Sequence, residues 1–247
     1  MSGAGPGPEP DTPGGPRPLR IDLHLHTRAS WDSLSDPEAV LSRARARGLG
    51  RIAITDHNRL GLALDMAALH PDEVIPGEEV KTAEGIDVIG LYLSEEIPKG
   101  TPMMETCRWI RAQGGIVYLP HPYAAGKGGS GRFAEALAPE VDVIEVFNAR
   151  LRSRRANQRA VELAERTGCL RGAGSDAHTP GEVGNAWVEV PEHPNRPDAL
   201  LAALAGQAPG ADGGSSGFPV RVHGERAGFH VFALSNSAKL WKKVRGR

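Results

Sequence analysis

The chain has 247 residues, a formal net charge of −1 and 24% charged residues, which is the composition of an ordinary globular protein. A charge this close to zero argues against a strongly basic surface for nucleic acid or membranes. Two distant cysteines, Cys107 and Cys169, give neither a disulfide framework nor a thiolate zinc site. The sequence has no run of 18 apolar residues and no secretion signal at its N-terminus, so we expect a cytoplasmic protein without a membrane partner.

Glycine- and proline-rich segments divide the chain. Residues 1–18, "MSGAGPGPEPDTPGGPRP", predict a disordered tail, and residues 206–219, "GQAPGADGGSSGFP", predict a flexible loop. Residues 19–205 predict a single domain, and this length suffices for a substantial hydrophobic core. Residues 220–247 predict a C-terminal extension that packs on this domain.

Short apolar runs alternate with helical patterns along the domain. Strands are predicted over residues 20–25, 51–55, 74–80, 86–92, 115–119, 142–147 and 170–173, and helices over residues 36–48, 60–69, 102–113, 132–138 and 153–168. The first helix begins with the Asp36–Pro37 pair, a favourable cap and first-turn combination, and ends at Gly48. The alternation predicts an α/β fold of βα units with a largely parallel sheet, either open or closed into a barrel.

The first strand carries ionisable side chains at alternate positions. In "RIDLHLHTRAS", residues 20–30, Asp22, His24 and His26 share one face of the strand. A half-exposed edge strand would show the same alternation. Two histidines at i and i+2 are an unusual choice for a solvated face, so we interpret them as a pair with a chemical function.

Histidines and acids collect at the ends of the predicted strands, where functional side chains gather in parallel α/β folds. These positions hold His24, His26, Asp56, His57, Asn58, Glu78, Glu79, His121, Glu145, Asn148, Asp176 and His178. Imidazole and carboxylate groups without thiolates favour Zn²⁺, Mn²⁺ or Fe²⁺. Two such ions lower the pKa of bound water and stabilise a leaving oxygen, which suits the hydrolysis of phosphate esters.

The order of the motifs HxH, TDHN, PGxE, HP, E-x-x-N and GSDAH resembles that of the PHP superfamily, named for polymerase and histidinol phosphatase, over about residues 20–190. The resemblance implies a distorted (β/α)7 barrel, two or three divalent metal ions and phosphoesterase activity. It implies a first metal site formed by His24, His26, Glu79 and Asp176, a second formed by Glu79 as a bridge and His121, and a third formed by Asp32, His57 and His178.

Other residues near these ligands have supporting roles in this interpretation. Asp56 and Glu145 are expected to orient metal-binding imidazoles, which such histidines usually require. Asn148 and Arg150 are expected to hold the substrate phosphate. At Asp87 the relatives often have histidine, and whether this aspartate is a ligand stays open.

The function expected from these residues is hydrolysis of a small phosphomonoester by a metal-bound hydroxide held by His24, His26, Glu79 and Asp176. One alternative is an exonuclease-like phosphodiesterase on nucleic-acid ends, which would require a basic groove. Another is a non-catalytic metal-binding regulatory domain, for which only Asp87 argues. An amidohydrolase-type barrel commonly has a lysine that bridges its metals, and we expect no lysine at a strand end of this chain. The oligomeric state stays open.

Overall fold

The computed structural model describes residues 18–126, 128–207 and 219–227. The strands are Pro18–Leu25 (β1), Arg51–His57 (β2), Val74–Lys81 (β3), Asp87–Leu91 (β4), Ile116–Leu119 (β5), Val143–Asn148 (β6), Leu170–Gly174 (β7), Ala186–Pro191 (β8) and Arg221–Gly224 (β9). The helices are Pro37–Ala46 (α1), Gly61–Leu69 (α2), Met103–Ala112 (α3), Ala134–Leu137 (α4), Arg154–Thr167 (α5) and Pro197–Leu204 (α6). Three short 3-10 segments are Gly131–Phe133, Ala138–Glu140 and Pro180–Glu182.

All seven predicted strands and all five predicted helices are present, with small shifts at their ends. The structure adds β8, β9 and α6, which the sequence did not predict. Pro18, placed in the predicted tail, is the first residue of β1, and the rest of that tail lies outside the described residues. Most of the predicted loop 206–219 and extension 220–247 also lies outside them, although β9 pairs with β8. Within the described ranges, no helix has the length and apolar character needed to cross a membrane.

The nine strands form one sheet in the order β7-β6-β5-β4-β3-β2-β1-β8-β9. The pairs β1/β2, β2/β3, β5/β6 and β6/β7 are parallel, but β3/β4, β4/β5, β1/β8 and β8/β9 are antiparallel. Among the seven predicted strands, four of the six pairs are parallel, so the expectation of a largely parallel sheet is wrong only for the two pairs of β4; the other two antiparallel pairs involve β8, which was not predicted. The short segment 82–86 between β3 and β4 cannot hold the crossover helix that a parallel pair requires, so these strands form a hairpin.

The sheet curves until β7 approaches β1, and this nearly closes a distorted barrel. Leu25 and Ala177 form a parallel bridge, and the Asp176 N–H donates to the His24 carbonyl at 2.7 Å. A Cβ at Gly174 would overlap both the Cβ of His24 and the carboxylate of Glu145, so only glycine permits this approach. Closure brings the end of β7 directly against the histidines of β1.

Alternate residues of the strands pack on two sides of the sheet. Ile54 and Val117 belong to a buried cluster that includes residues of α1, α2, α3 and α5. Ala53 and Tyr118 belong to a second cluster, which includes the buried residues of α6. Both faces of the strands are thus covered, as expected for an α/β fold. The packing fixes the strand ends that carry the polar side chains.

Candidate metal centre

The eight predicted metal ligands come together at one end of the barrel. They come from β1 and the segment after it, from β2 and β3, and from the segments after β5 and β7; they are His24, His26, Asp32, His57, Glu79, His121, Asp176 and His178. His57 and Asp176 are partly exposed and the other six are buried. The cluster therefore has one side that a substrate can reach.

The four predicted first-site ligands have the spacing of a metal site. The Nε2 atoms of His24 and His26 are 3.1 Å apart, and Glu79 Oε2 lies 3.4 and 3.3 Å from them. Asp176 Oδ1 lies 3.8 Å from His24 Nε2 and 3.3 Å from His26 Nε2. Donors about 2.0–2.1 Å from a tetrahedral ion are separated by about 3.3 Å. These side chains fit a divalent ion without rearrangement of the backbone.

The carboxylate of Glu79 faces two sets of imidazoles. Its Oε2 atom is directed to the first site and also lies 2.9 Å from His57 Nδ1, while Oε1 lies 3.1 Å from His121 Nε2. Glu79 is fully buried, and Oε2 accepts no aligned hydrogen bond from the described residues. A buried carboxylate oxygen surrounded by ring nitrogens is costly without a cation. This geometry fits a carboxylate that bridges two cation positions.

The predicted third site lies on the partly exposed side of the cluster. Asp32 Oδ2 is 3.1 Å from His178 Nε2 and 3.6 Å from His57 Nε2. Ring nitrogens of His26, His57 and His178 lie within 4.8 Å of one another. One carboxylate and imidazoles at this spacing are a suitable donor set for a further divalent ion.

Two of the predicted ligands, Asp176 and His26, already have the protonation state that metal binding needs. Burial opposes ionisation of Asp176, yet His24 and the hydrogen bond from His26 hold the pKa of this carboxyl well below its usual range. Burial and the neighbouring rings of His178 and His57 lower the pKa of His26 to about 3. An ionised carboxylate and a neutral imidazole are the forms that ligate metals.

Glu145 contacts His24, one of the predicted ligands. Its Oε1 atom lies 3.0 Å from His24 Nδ1 and accepts a hydrogen bond from the Tyr118 hydroxyl at 3.2 Å. Its Oε2 atom accepts the His121 N–H at 2.7 Å. A proton held on His24 Nδ1 leaves Nε2 free to donate its lone pair to a metal.

Asp56 acts on the site through a loop, whereas we expected direct contact with an imidazole. Its carboxylate accepts hydrogen bonds from the backbone and hydroxyl of Thr27 at 2.6 and 2.5 Å and from the Ser30 N–H at 3.2 Å. The Ser30 hydroxyl in turn lies 3.1 Å from His26 Nδ1 and accepts the His57 N–H at 2.9 Å. Ser30 is the residue that contacts the imidazole, and the sequence analysis missed it.

Asn148 and Arg150 lie beside the predicted ligands. The Asn148 amide donates to Glu145 Oε2 at 3.0 Å and to Asp176 Oδ2 at 3.3 Å. Arg150 forms an ion pair with Glu182 at 3.5 Å and donates to the Asp176 carbonyl at 3.5 Å. Asn148 thus holds the carboxylate of Asp176, a predicted metal ligand, and the binding of phosphate by Asn148 and Arg150 stays a prediction.

Lys81 was not predicted to belong to this site, and no role was predicted for Asp22. Lys81 is the last residue of β3 and forms an ion pair with Asp87, so the expectation that no strand ends in a lysine is wrong. Asp22 accepts the N–H groups of Ser175 at 2.9 Å and Gly184 at 3.2 Å. Burial raises the pKa of Asp22 to about 6, and its hydrogen bonds attach β1 to the segment that carries Asp176.

Comparison with known proteins agrees with this geometry. Residues 22–104 match the family model of the PHP domain, and residues 154–208 match that of a PHP-associated segment. MJ0417 of Methanocaldococcus jannaschii, an uncharacterised protein, is 38% identical over 188 residues, which cover 74% of this chain and 75% of that protein. The chain belongs to the PHP family. This family is generally one of metal-dependent phosphoesterases, and this PHP protein has clusters of histidine and carboxylate side chains that could hold metal ions.

Two named enzymes share shorter segments with this PHP protein. A 5'-3' exoribonuclease of Haemophilus influenzae is 31% identical over 99 residues, which cover 37% of this chain and 35% of that enzyme. A 3',5'-nucleoside bisphosphate phosphatase of Chromobacterium violaceum is 36% identical over 84 residues, which cover 32% of this chain and 29% of that enzyme.

A crystal structure from Bacteroides vulgatus, of a two-domain protein that contains a predicted PHP-like metal-dependent phosphoesterase, shares the fold. It matches with a TM-score of 0.64 and 18% identity, and the match covers 90% of this chain and 70% of that one. Identity at this level supports the architecture of the PHP protein and leaves its substrate open.

Proposed function

We propose that this PHP protein hydrolyses phosphomonoesters of small molecules with two or three bound Zn²⁺, Mn²⁺ or Fe²⁺ ions. The observation that carries the proposal is the carboxylate of Glu79, whose two oxygens face different imidazoles at 3.1 to 3.4 Å. A bridging carboxylate is the feature that places two cations close enough to act on one phosphate.

The residues of the chain have separate tasks in this reaction. Bound divalent ions would supply water of lowered pKa and would offset the negative charge of the phosphate. Glu145 holds His24 in the tautomer that binds metal, and Asn148 holds Asp176. Arg150, whose guanidinium group is at the end of β6, is the candidate for binding a phosphate oxygen.

The approach of the substrate is from the side of His57 and Asp176, the partly exposed ligands. Trp31 lies on this side, with its ring centroid 6.0 Å from that of His57, and its side chain is 54% exposed. A small phosphorylated substrate agrees with the net charge of −1 and with the local similarity to a nucleoside bisphosphate phosphatase. The similarity to a 5'-3' exoribonuclease supports the second candidate, a phosphodiesterase on nucleic-acid ends.

The test is phosphate release from a panel of monoesters, comprising nucleotides, sugar phosphates and histidinol phosphate, with each metal in turn. We expect metal-dependent release that is lost in His26→Ala. The control is His70→Ala, since His70 lies at the end of α2, outside the ligand cluster.

A 5'-phosphorylated oligonucleotide is included to separate the candidates. Release of nucleotides from this oligonucleotide, with no phosphate from any monoester, would favour the nuclease. Metal-loaded protein that acts on neither class of substrate would leave the regulatory domain as the remaining interpretation.

A further inference from the structure

A lysine lies on the strand that carries Glu79, and it is paired with Asp87. Lys81 and Glu79 are two residues apart on β3 and therefore project from the same face of the strand. Lys81 is directly opposite Asp87 in the antiparallel β3/β4 pair, and its ammonium group forms an ion pair with the Asp87 carboxylate. The Asp87 carboxylate is buried, and the Lys81 side chain is 27% exposed.

The carboxylate of Asp87 is also close to His121. The Asp87 N–H donates to the Gly128 carbonyl at 2.9 Å, and a Cβ placed on Gly128 would overlap Asp87 Oδ2. The same Cβ would lie 3.4 Å from Cε1 of His121. The Asp87 carboxylate and the His121 ring therefore both lie against Gly128, which makes Asp87 the candidate for a third ligand of the second position.

Few other side chains could ligate an ion at the second metal position. His121 Nε2 and Glu79 Oε1 are 3.1 Å apart and face each other. His24 lies nearby, but its Nε2 atom belongs to the first site and its Nδ1 atom is bonded to Glu145. Among the described residues, the second position thus depends on Asp87 for a third donor, and Asp87 is already paired with an ammonium group.

We propose that Lys81, paired with Asp87, takes the place of the second metal ion, so that the protein binds two divalent ions, one at the first site and one at the third. A divalent ion at the second position would have to share Asp87 with the ammonium group and would be repelled by it. The inference rests on the proposed metal centre and narrows it to the first and third sites, both of which Glu79 Oε2 faces through His24, His26 and His57. It is independent of the substrate, so its test is a count of bound ions and not an activity.

The experiment removes all metal with a chelator, reloads the full chain with Zn²⁺ or Mn²⁺, desalts it and measures ions per chain by mass spectrometry. We expect two ions for the wild type. Lys81→Met releases Asp87 and should raise the count to three, and adding Asp87→Asn to that variant should return it to two. Lys81→Arg retains the positive charge and is the matched control, with two ions expected.

A second variant keeps the test informative if Lys81→Met fails to fold, which circular dichroism would show. His121→Ala, in the otherwise unchanged chain, should still bind two ions because the second position holds none. Three ions in the wild type, or the loss of one ion in His121→Ala, would overturn the proposal and make Asp87 a ligand.

Discussion

Replacing Glu145 by glutamine keeps the shape of the side chain and removes its charge. In the wild type, the fully buried carboxylate lies 3.0 Å from His24 Nδ1 and accepts the Tyr118 hydroxyl, the His121 N–H and the Asn148 amide. A glutamine has one acceptor oxygen and an NH₂ group, so it cannot accept from all four. One pair of contacts must change.

The hydrogen-bond partners of residue 145 decide which orientation of the glutamine amide costs less free energy. An NH₂ group facing His121 and Asn148 would meet two fixed donors. An NH₂ group facing Tyr118 and His24 meets a hydroxyl that can rotate and a ring that can change tautomer. The His24 proton would then move to Nε2, the atom directed at the first metal position. Loss of such an orienting partner typically lowers metal affinity about 10- to 100-fold, or about 1.4–2.7 kcal/mol.

The assay is competition for Zn²⁺ against a fluorescent chelator, with wild type and Glu145→Gln side by side. The matched control is Glu189→Gln, which removes the same charge from a buried acid of β8 that pairs with Arg20 at 3.1 Å, away from the ligands. We expect weaker binding only in Glu145→Gln. An affinity within twofold of the wild type would refute the argument that Glu145 fixes the tautomer of His24.

Three further predictions concern pH and the rim of the site. Burial raises the pKa of Glu78 from 4.5 to about 8 although it accepts the Ile97 N–H at 2.9 Å. The folded state thus holds the Glu78 proton more tightly than the unfolded state does. The free energy of unfolding of the wild type, relative to that of Glu78→Gln, should therefore fall by at most about 5 kcal/mol as the pH rises from about 4.5 to 8. Urea unfolding at several pH values measures this difference, and a difference that does not depend on pH would contradict the prediction. Burial opposes protonation of His24, but Glu145, Asp176 and Glu79 raise its pKa well above the usual value. Metal must therefore displace a proton, and calorimetry in buffers of different ionisation enthalpy should detect proton release and an affinity that rises with pH. Trp31→Ala should raise KM about fivefold or more for nucleotides, since stacking of a base contributes about 1–3 kcal/mol, and should leave KM for glycerol phosphate unchanged; equal effects on both substrates would exclude stacking.

The parts of the fold that the sequence predicts are those with local signals. The prediction that Asp36 caps α1 is confirmed, since its carboxylate accepts the N–H groups of Glu38 at 3.1 Å and Ala39 at 3.3 Å. The direction of β4 has no such signal within the strand and depends on the length of the segment before it. The predicted strands 74–80 and 86–92 are separated by only five residues, and this short gap indicates a hairpin.

In the candidate site, too, the residues with a local sequence signal could be predicted, and those whose role depends on the folded structure could not. Seven of the eight predicted metal ligands lie in short motifs at strand ends, and Asp32 came from the family resemblance; the structure brings all eight together. Lys81 was missed because its significance depends on its position opposite Asp87, which requires the register of β3 and β4. Ser30 was missed because a hydroxyl near an imidazole gives no pattern until the loop is folded.

The backbone at two ligands has a conformation that non-glycine residues rarely adopt. His121 has φ of 27° and Asp176 has φ of 52°, both in the left-handed region. The first of these precedes Pro122, a position that normally favours an extended backbone. Hydrogen bonds from the strained residues hold both conformations: the His121 N–H donates to Glu145 and the Asp176 N–H donates to the His24 carbonyl, each at 2.7 Å. The contacts that orient the first-site histidine therefore also stabilise the strained segments, so the geometry of the metal centre and the closure of the barrel depend on the same buried groups.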